Sequence, residues 1–339
     1  MIANVRRFST SARKSMTKRN STALRTSFAL FALFSAAFFW GGNAIASKIL
    51  YRPDGAHFDA FSLVVARAVW SLPLFLALAW FARPDRPPSR ADWWRLIATG
   101  ICFGPGACGF MAYAAQNTSG AHVVMLMSLS PPLTAVVSAF VLRERVDAAR
   151  IAALAIGIAG AALLAFTHSG SGSTVGGDVM ELFQVVFFSL MFVFTRGLGT
   201  RYSPFFVSGT YGAIAMIAVA AVGLASGRIA DCAVLPFASG AGTLWWFFGE
   251  IVIGLSIYGQ TAQSFALRTL GAGITSLLSA YGTLIVGVIG AVVLLGERLS
   301  PLGYAAAGLL ALALAVGLLP AQRPRPAAVP ATAAGELTS

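Results

Sequence analysis

From Leu96 to Leu142 the chain carries no Asp, Glu, Lys or Arg, and this run is broken only by Gln116-Asn117-Thr118-Ser119-Gly120. A helix needs about 20 mostly apolar residues to cross a hydrocarbon core roughly 30 Å thick. The run therefore reads as two crossings joined by a tight polar turn. Only 11% of residues are charged and 57% are hydrophobic, against about 25% charged in soluble domains. The class is an all-α integral membrane protein.

The remaining apolar runs give ten expected spans, near 28–49, 59–82, 93–115, 121–142, 147–167, 179–196, 204–226, 243–267, 271–295 and 300–320. The sixth is the weakest, being short, starting beside Asp178 and Glu181, and containing Gln184. A basic arm, residues 1–27, and a Pro/Ala-rich tail, residues 321–339, are expected to be disordered. The arm is rich in Arg, Lys, Ser and Thr and has no acid, a composition that also suits an organellar transit peptide. The three cysteines, Cys102, Cys108 and Cys232, make no disulfide framework.

The net charge of +12 would suggest nucleic acid in a soluble protein, but its placement argues for topology. With the N-terminus inside, 19 of the 24 basic residues fall on the cytoplasmic side, and only Lys48, Arg52, Arg228 and Arg298 on the other. This is the positive-inside pattern. It places both termini in the cytoplasm, with a bacterial inner membrane as the expected location and an organelle membrane as the alternative.

The second half echoes the first. At a constant offset of 153, Gly120/Gly273, Glu144/Glu297, Arg145/Arg298, Ala152/Ala305 and Ala153/Ala306 are identical pairs. In both places an apolar span ends in Glu-Arg, a short turn follows, and a Gly/Ala-rich span closes the unit. Two five-helix units are implied, 28–167 and 179–320, with a linker over 168–178. Five is odd, so the second unit enters from the opposite side. Inverted repeats of this kind support alternating access around a midplane site.

Phe39-Trp40-Gly41-Gly42-Asn43 in span one, Arg67 in span two, and Ala114-Ala115-Gln116-Asn117-Thr118-Ser119-Gly120-Ala121 entering span four form an ordered set. Pro131 precedes Glu144 by 13 residues, and Leu295-Gly296-Glu297-Arg298 repeats the ending. The chain so resembles the drug/metabolite transporter superfamily in its EamA-type branch. The resemblance implies a ten-helix carrier with a central cavity, often an exporter of amino acids, metabolites or drugs. Arg143 stands where a Gly is expected before Glu144, and Leu284 where the second repeat would have Pro131's counterpart.

Charges inside hydrocarbon cost about 2.5 to 3.5 kcal/mol on insertion scales, so they are functional candidates by default. Arg67 and Glu250 both fall roughly 10 to 12 Å below the outer surface at 1.5 Å per residue, and are expected either to pair or to exchange a proton or a cationic solute group. Gly254, Tyr258 and Thr261 follow Glu250 on one α-helical face. Trp40, Asn43 and Ser47 share a face of span one, an aromatic wall and an amide for a polar solute. Ser128 and Tyr281 are further cavity candidates. Gly104, Pro105 and Pro131 are candidate helix breaks, and Glu144, Arg145, Glu297 and Arg298 are candidate gates or interfacial anchors. Small-residue packing, a solvated helix end, or structural hydrogen bonding are the competing readings. His122 reads as a boundary histidine without a metal partner at ligand spacing.

No cluster of His, Asp or Cys suggests membrane-enzyme chemistry, and no Gly-x-x-x-x-Gly-Lys-Ser/Thr loop suggests ATP-driven transport. A secondary carrier of a small organic solute follows, with a channel or a membrane-embedded enzyme as the alternative. No metal, cofactor or nucleic acid is implied. The partners are the solute and the lipid bilayer, with proton coupling left open and the oligomeric state unspecified.

Overall fold

The computed structural model describes residues 2–52, 57–142, 148–167, 173–195, 197–238, 240–270 and 272–317. Among the described residues there are helices and connecting turns and no strand. We number the apolar helices α1 (Ile2–Leu50), α2 (Ala60–Phe81), α3 (Arg90–Asn117), α4 (Gly120–Val141), α5 (Ala148–Ala165), α6 (Val175–Thr195), α7 (Pro204–Ala225), α8 (Ala241–Leu270), α9 (Ala272–Leu294) and α10 (Pro301–Gly317). Seven contain stretches long and apolar enough to cross a membrane, Leu24–Leu50 of α1 among them. Ala148–Leu164, Leu278–Leu294 and Pro301–Gly317 are shorter apolar stretches.

Each expected apolar run is thus helical, with two shifts. The sixth begins at Val175, not 179, which puts Asp178 in its first turn rather than in a linker. It is one of the seven clear spans, because the four residues added at its start lengthen it to 21 residues. The helix of α1 also extends back to Ile2, through the arm expected to be disordered. The tail from 321 onward lies outside the described residues.

Local chemistry sets the helix starts. Asp59 caps α2: Ser62 N–H donates to its Oδ1 at 2.6 Å, and the Asp59 N–H donates to Ser62 Oγ at 2.8 Å. This reciprocal pair satisfies two donors that a helix start leaves open. Ser89, Ser119 and Ser203 cap α3, α4 and α7 through single hydroxyls. α4 is broken at Ser128–Leu129, between Gly120–Met127 and Ser130–Leu142. Pro131 and Pro132 fall in the first turn of the second piece, where a missing N–H costs no ladder bond.

Two helices are wound more loosely in part. Cys102–Gly109 of α3 and Trp245–Gly259 of α8 are π-helical, with bonds from i to i+5. Gly104, Pro105 and Gly106 account for the first. Pro105 faces outward and contributes no donor to the ladder.

In lipid, helix association rests on close packing and interhelical hydrogen bonds, since the surroundings are as apolar as the side chains. α2 lies along α7, α5 along α10, and α4 against α9. α1 packs on α8 and α9, and α6 on α3 and α4. Glycine permits the closest of these approaches. A Cβ on Gly104 would stand 2.5 Å from the Ala215 carbonyl oxygen of α7, and one on Gly209 would stand 2.5 Å from the Ala79 nitrogen of α2.

Candidate functional site

The interior holds two neighbouring cavities that share Trp40, Met127 and Phe188 as a common wall. The first, about 380 Å³ of empty space counted with its open mouth, is lined further by Ser128, Ser130, Pro131, Thr134, Gln263 and Thr283 among others. The second, about 350 Å³ on the same measure, is lined by Asn43, Arg67, Cys108, Gln184, Leu255 and Gln260 among others. One is therefore a hydroxyl-rich compartment and the other carries a guanidinium.

The loosened turns of α3 and the break in α4 explain why these side chains converge. The π-helical stretch turns Phe103, Ala107 and Cys108 toward the second cavity, while the break turns Met127, Ser128, Ser130 and Pro131 toward the first. Gly104 and Pro105 themselves line neither cavity. Gly104 is a packing contact with α7, and Pro105 faces outward.

Trp40 is held edge-on against Phe188, with ring centroids 4.8 Å apart, and its buried indole N–H has no hydrogen-bond partner among the described residues. Asn43 lines the second cavity and its Nδ2 lies 2.8 Å from Met111 Sδ. Arg67 is 5% exposed. Its Nε donates to Ser256 Oγ at 2.8 Å, and its Cζ lies 5.7 Å from the centre of the Phe103 ring.

The expected ion pair between Arg67 and Glu250 does not form. Among the described residues Arg67 has no carboxylate within ion-pair distance. Glu250 is buried against α1, where a Cβ on Gly42 would collide with its carboxyl group, and among the described residues its Oε1 has no hydrogen-bond partner. The π-helical winding of α8 is the reason. It displaces the side chains from the α-helical face that spacing alone assigns, so Ser256 rather than Glu250 meets Arg67.

The same winding removes the predicted stripe from the cavity. Gly254 packs on Phe39, Tyr258 bonds to Ser35 Oγ and packs edge-on against Phe39, and Thr261 meets Ser208 Oγ at 3.3 Å. Tyr281 likewise turns away, donating its hydroxyl to the Ala311 carbonyl of α10 at 2.8 Å. Its neighbours Ser279 and Thr283 line the first cavity instead.

Glu297 joins the two halves. Its Oε1 accepts the Gly120 N–H at 2.7 Å and its Oε2 the Ala121 N–H at 2.9 Å. A carboxylate on the first N–H groups of α4 also meets the positive end of the helix dipole. Arg298 is exposed. Glu144 and Arg145 lie outside the described residues.

His122 sits in the first turn of α4. It is 1% exposed, with Nδ1 3.0 Å from Asp178 Oδ2 and Nε2 2.9 Å from Thr167 Oγ1. Thr118 Oγ1 donates to Asp178 Oδ1 at 2.5 Å. At the opposite end of the bundle, Arg201 Nη1 donates to Asp92 Oδ1 and the Tyr202 hydroxyl to Asp92 Oδ2, both at 2.9 Å, tying α3 to the segment that leads into α7. Among the described residues no group of three His, Cys, Asp or Glu could hold a metal.

Sequence reasoning missed Gln184, Phe188, Gln260, Gln263 and Asp92. Polar residues three apart inside apolar runs, as in Asp178, Glu181 and Gln184 or in Gln260 and Gln263, were the available signal.

This arrangement defines a multi-pass helical membrane protein with an interior polar-aromatic cavity. Residues 27–166 match the EamA-like transporter family, whose members are membrane transporters, and this match over the first part of the chain supports its resemblance to the EamA type of the drug/metabolite transporter superfamily. No curated protein matches the chain. Eleven chains of solved structures do. One of them, described as the crystal structure of a protein, is 19% identical with a TM-score of 0.57, covering 88% of this chain and 98% of its own. At that identity it shows a shared fold alone.

Proposed function

We propose that the protein is a secondary carrier that moves a small organic solute by alternating access, through ten crossings arranged as two inverted five-helix halves, 28–167 and 179–320. The observation that carries this reading is the pair of cavities meeting at Trp40, Met127 and Phe188, with walls drawn from both halves. The pairing of helices supports the inverted halves. Exchanging each helix of the first half for its counterpart five places on turns α1–α9 into α6–α4, α1–α8 into α6–α3, and α2–α8 into α7–α3, all of which are packed pairs. Rocking about such pairs exposes a midplane site to each side in turn.

The two compartments suggest a solute with two unlike ends. Arg67, beside Asn43, Gln184 and Gln260, suits a carboxylate. The compartment of Ser128, Thr134, Gln263 and Thr283 against Trp40 and Phe192 suits an organic side chain with an aromatic or hydroxylated surface. An amino-acid-like metabolite fits both. We read the direction as export across a bacterial inner membrane, as the resemblance implies, with both termini in the cytoplasm, as the basic-residue placement supports. Glu297 on the start of α4 serves as the outer closure and Asp92 with Arg201 as the inner one. Tyr258, Tyr281, Gly104 and Pro105 hold the frame.

The test is purified full-length protein in liposomes, assayed for uptake of amino acids, nucleosides and cationic drugs with and without a pH gradient. Saturable counterflow of a carboxylate-bearing solute is expected, lost in Arg67→Ala. Ion currents without saturation would replace the carrier by a channel.

A further inference from the structure

α6 carries a row of polar side chains that the cavity accounts for only at its lower end. Asp178, Glu181 and Gln184 recur every third residue, so they neighbour one another along one side of the helix. Asp178 is held by Thr118 and His122. Gln184 lines the second cavity beside Arg67. Between them, Glu181 is 0% exposed, and neither of its carboxyl oxygens has a hydrogen-bond partner. Gln184 Oε1 is also without one. Three buried acceptor oxygens on successive turns thus have no donor among the described residues.

An ionised carboxylate buried without a partner costs several kcal/mol. A proton or a cation must complete the site. The titratable groups on the elements packed against α6 are His122 on α4, and Tyr113, Cys102 and Cys108 on α3, with Arg90, Asp92 and Arg95 at the far end of α3. Glu297 stands on the neighbouring start of α4. Of the bases among these, His122 faces Asp178, while Arg90 and Arg95 lie at the other end of α3, so none supplies a counter-charge to Glu181. A bound metal ion would need several oxygens around it, and Asp178 has both of its oxygens engaged. A single proton turns one acceptor into a donor and suffices.

We infer that Glu181 is a proton-binding site, loaded from the outer side past Asp178 and His122 and facing the solute cavity through Gln184. One proton leaves external water and forms an O–H bond on the Glu181 carboxyl, taking that side chain from one negative charge to neutral. Its release to water on the other side restores the charge. In the carrier this couples proton entry to the Arg67 compartment, and only that consequence rests on the transport reading.

The site is tested without any solute. Full-length protein in lipid nanodiscs is followed by infrared difference spectroscopy from about pH 5 to about pH 9. The carbonyl band of a protonated carboxyl is expected to fade as pH rises, to be missing in Glu181→Gln, and to persist in Glu250→Gln. If Glu181→Gln does not fold, Glu250→Gln with ¹³C-labelled glutamate decides. The chain has only five glutamates, and a label-shifted band of an apolar carboxyl must remain. An unchanged band in Glu181→Gln, no labelled band in Glu250→Gln, or a band that follows sodium at fixed pH overturns the proposal. A persistent band with no transport of any solute would instead overturn the carrier reading alone.

Discussion

Replacing Glu297 by Gln changes few atoms and isolates what its carboxylate does. Two backbone N–H groups, from Gly120 and Ala121, each donate to a separate carboxyl oxygen at 2.7 and 2.9 Å. The amide keeps one acceptor and turns an NH₂ toward the other donor, so one hydrogen bond to a charged group is lost. Such a bond contributes about 2 kcal/mol, and at 1.4 kcal/mol per decade this is roughly 30-fold in an equilibrium constant. If the contact exists only when the outer side is closed, the variant spends that much more time open. Cys108, buried in the wall of the Arg67 compartment, is a native reporter once Cys102 and Cys232 are replaced by Ala. A membrane-impermeant maleimide added outside should label it between ten and 30 times faster in Glu297→Gln, within the same estimate. An unchanged rate would refute the closure, since the two bonds would then be present in both arrangements.

Gly104→Ala puts a methyl group 2.5 Å from the immovable Ala215 carbonyl and should lower stability by about 1 to 3 kcal/mol, read as an earlier melting transition in detergent. Gly109→Ala meets nothing within 4 Å and should be neutral or stabilise by up to about 1 kcal/mol. Arg67→Lys retains the charge but not the planar fork, so solute affinity should fall at least tenfold while the protein still folds, a difference of about 1.4 kcal/mol by direct binding. Asp59, outside the spans, is raised by partial burial, but hydrogen bonds from Ser62 and Arg228 outweigh this and hold its carboxyl below the usual range. Its stabilising share is therefore full above the ordinary aspartate range and lost as pH falls through the depressed value. Thermal stability of Asp59→Asn should depend less on pH than wild type below about pH 4.

The positions of the apolar helices, seven of them among the described residues long enough to cross a membrane, were legible in the sequence because each span must satisfy its own backbone in lipid and so announces itself by composition. Trp40, Asn43, Arg67 and Ser128 were legible as cavity candidates and Pro131 as a helix break, since polar, aromatic or helix-breaking residues inside such spans need a reason to be there. Tyr258 and Tyr281 were not, because a hydroxyl facing a cavity and one facing a neighbouring carbonyl look alike in one dimension. Asp178 and His122, separated by 56 residues, gave no sign of meeting.

What the sequence determined alone was therefore membrane class, helix positions and the Glu-Arg duplication, all of which depend on local hydrophobicity and spacing. Which side chains share a cavity was decided by tertiary structure. The π-helical winding of α8 turns Ser256 to Arg67 and Glu250 to Gly42, and a change of helical repeat leaves no mark in composition. Glu297 reaching across to α4, and Glu181 left without a hydrogen-bond partner among the described residues, likewise follow from how helices distant in the chain are packed.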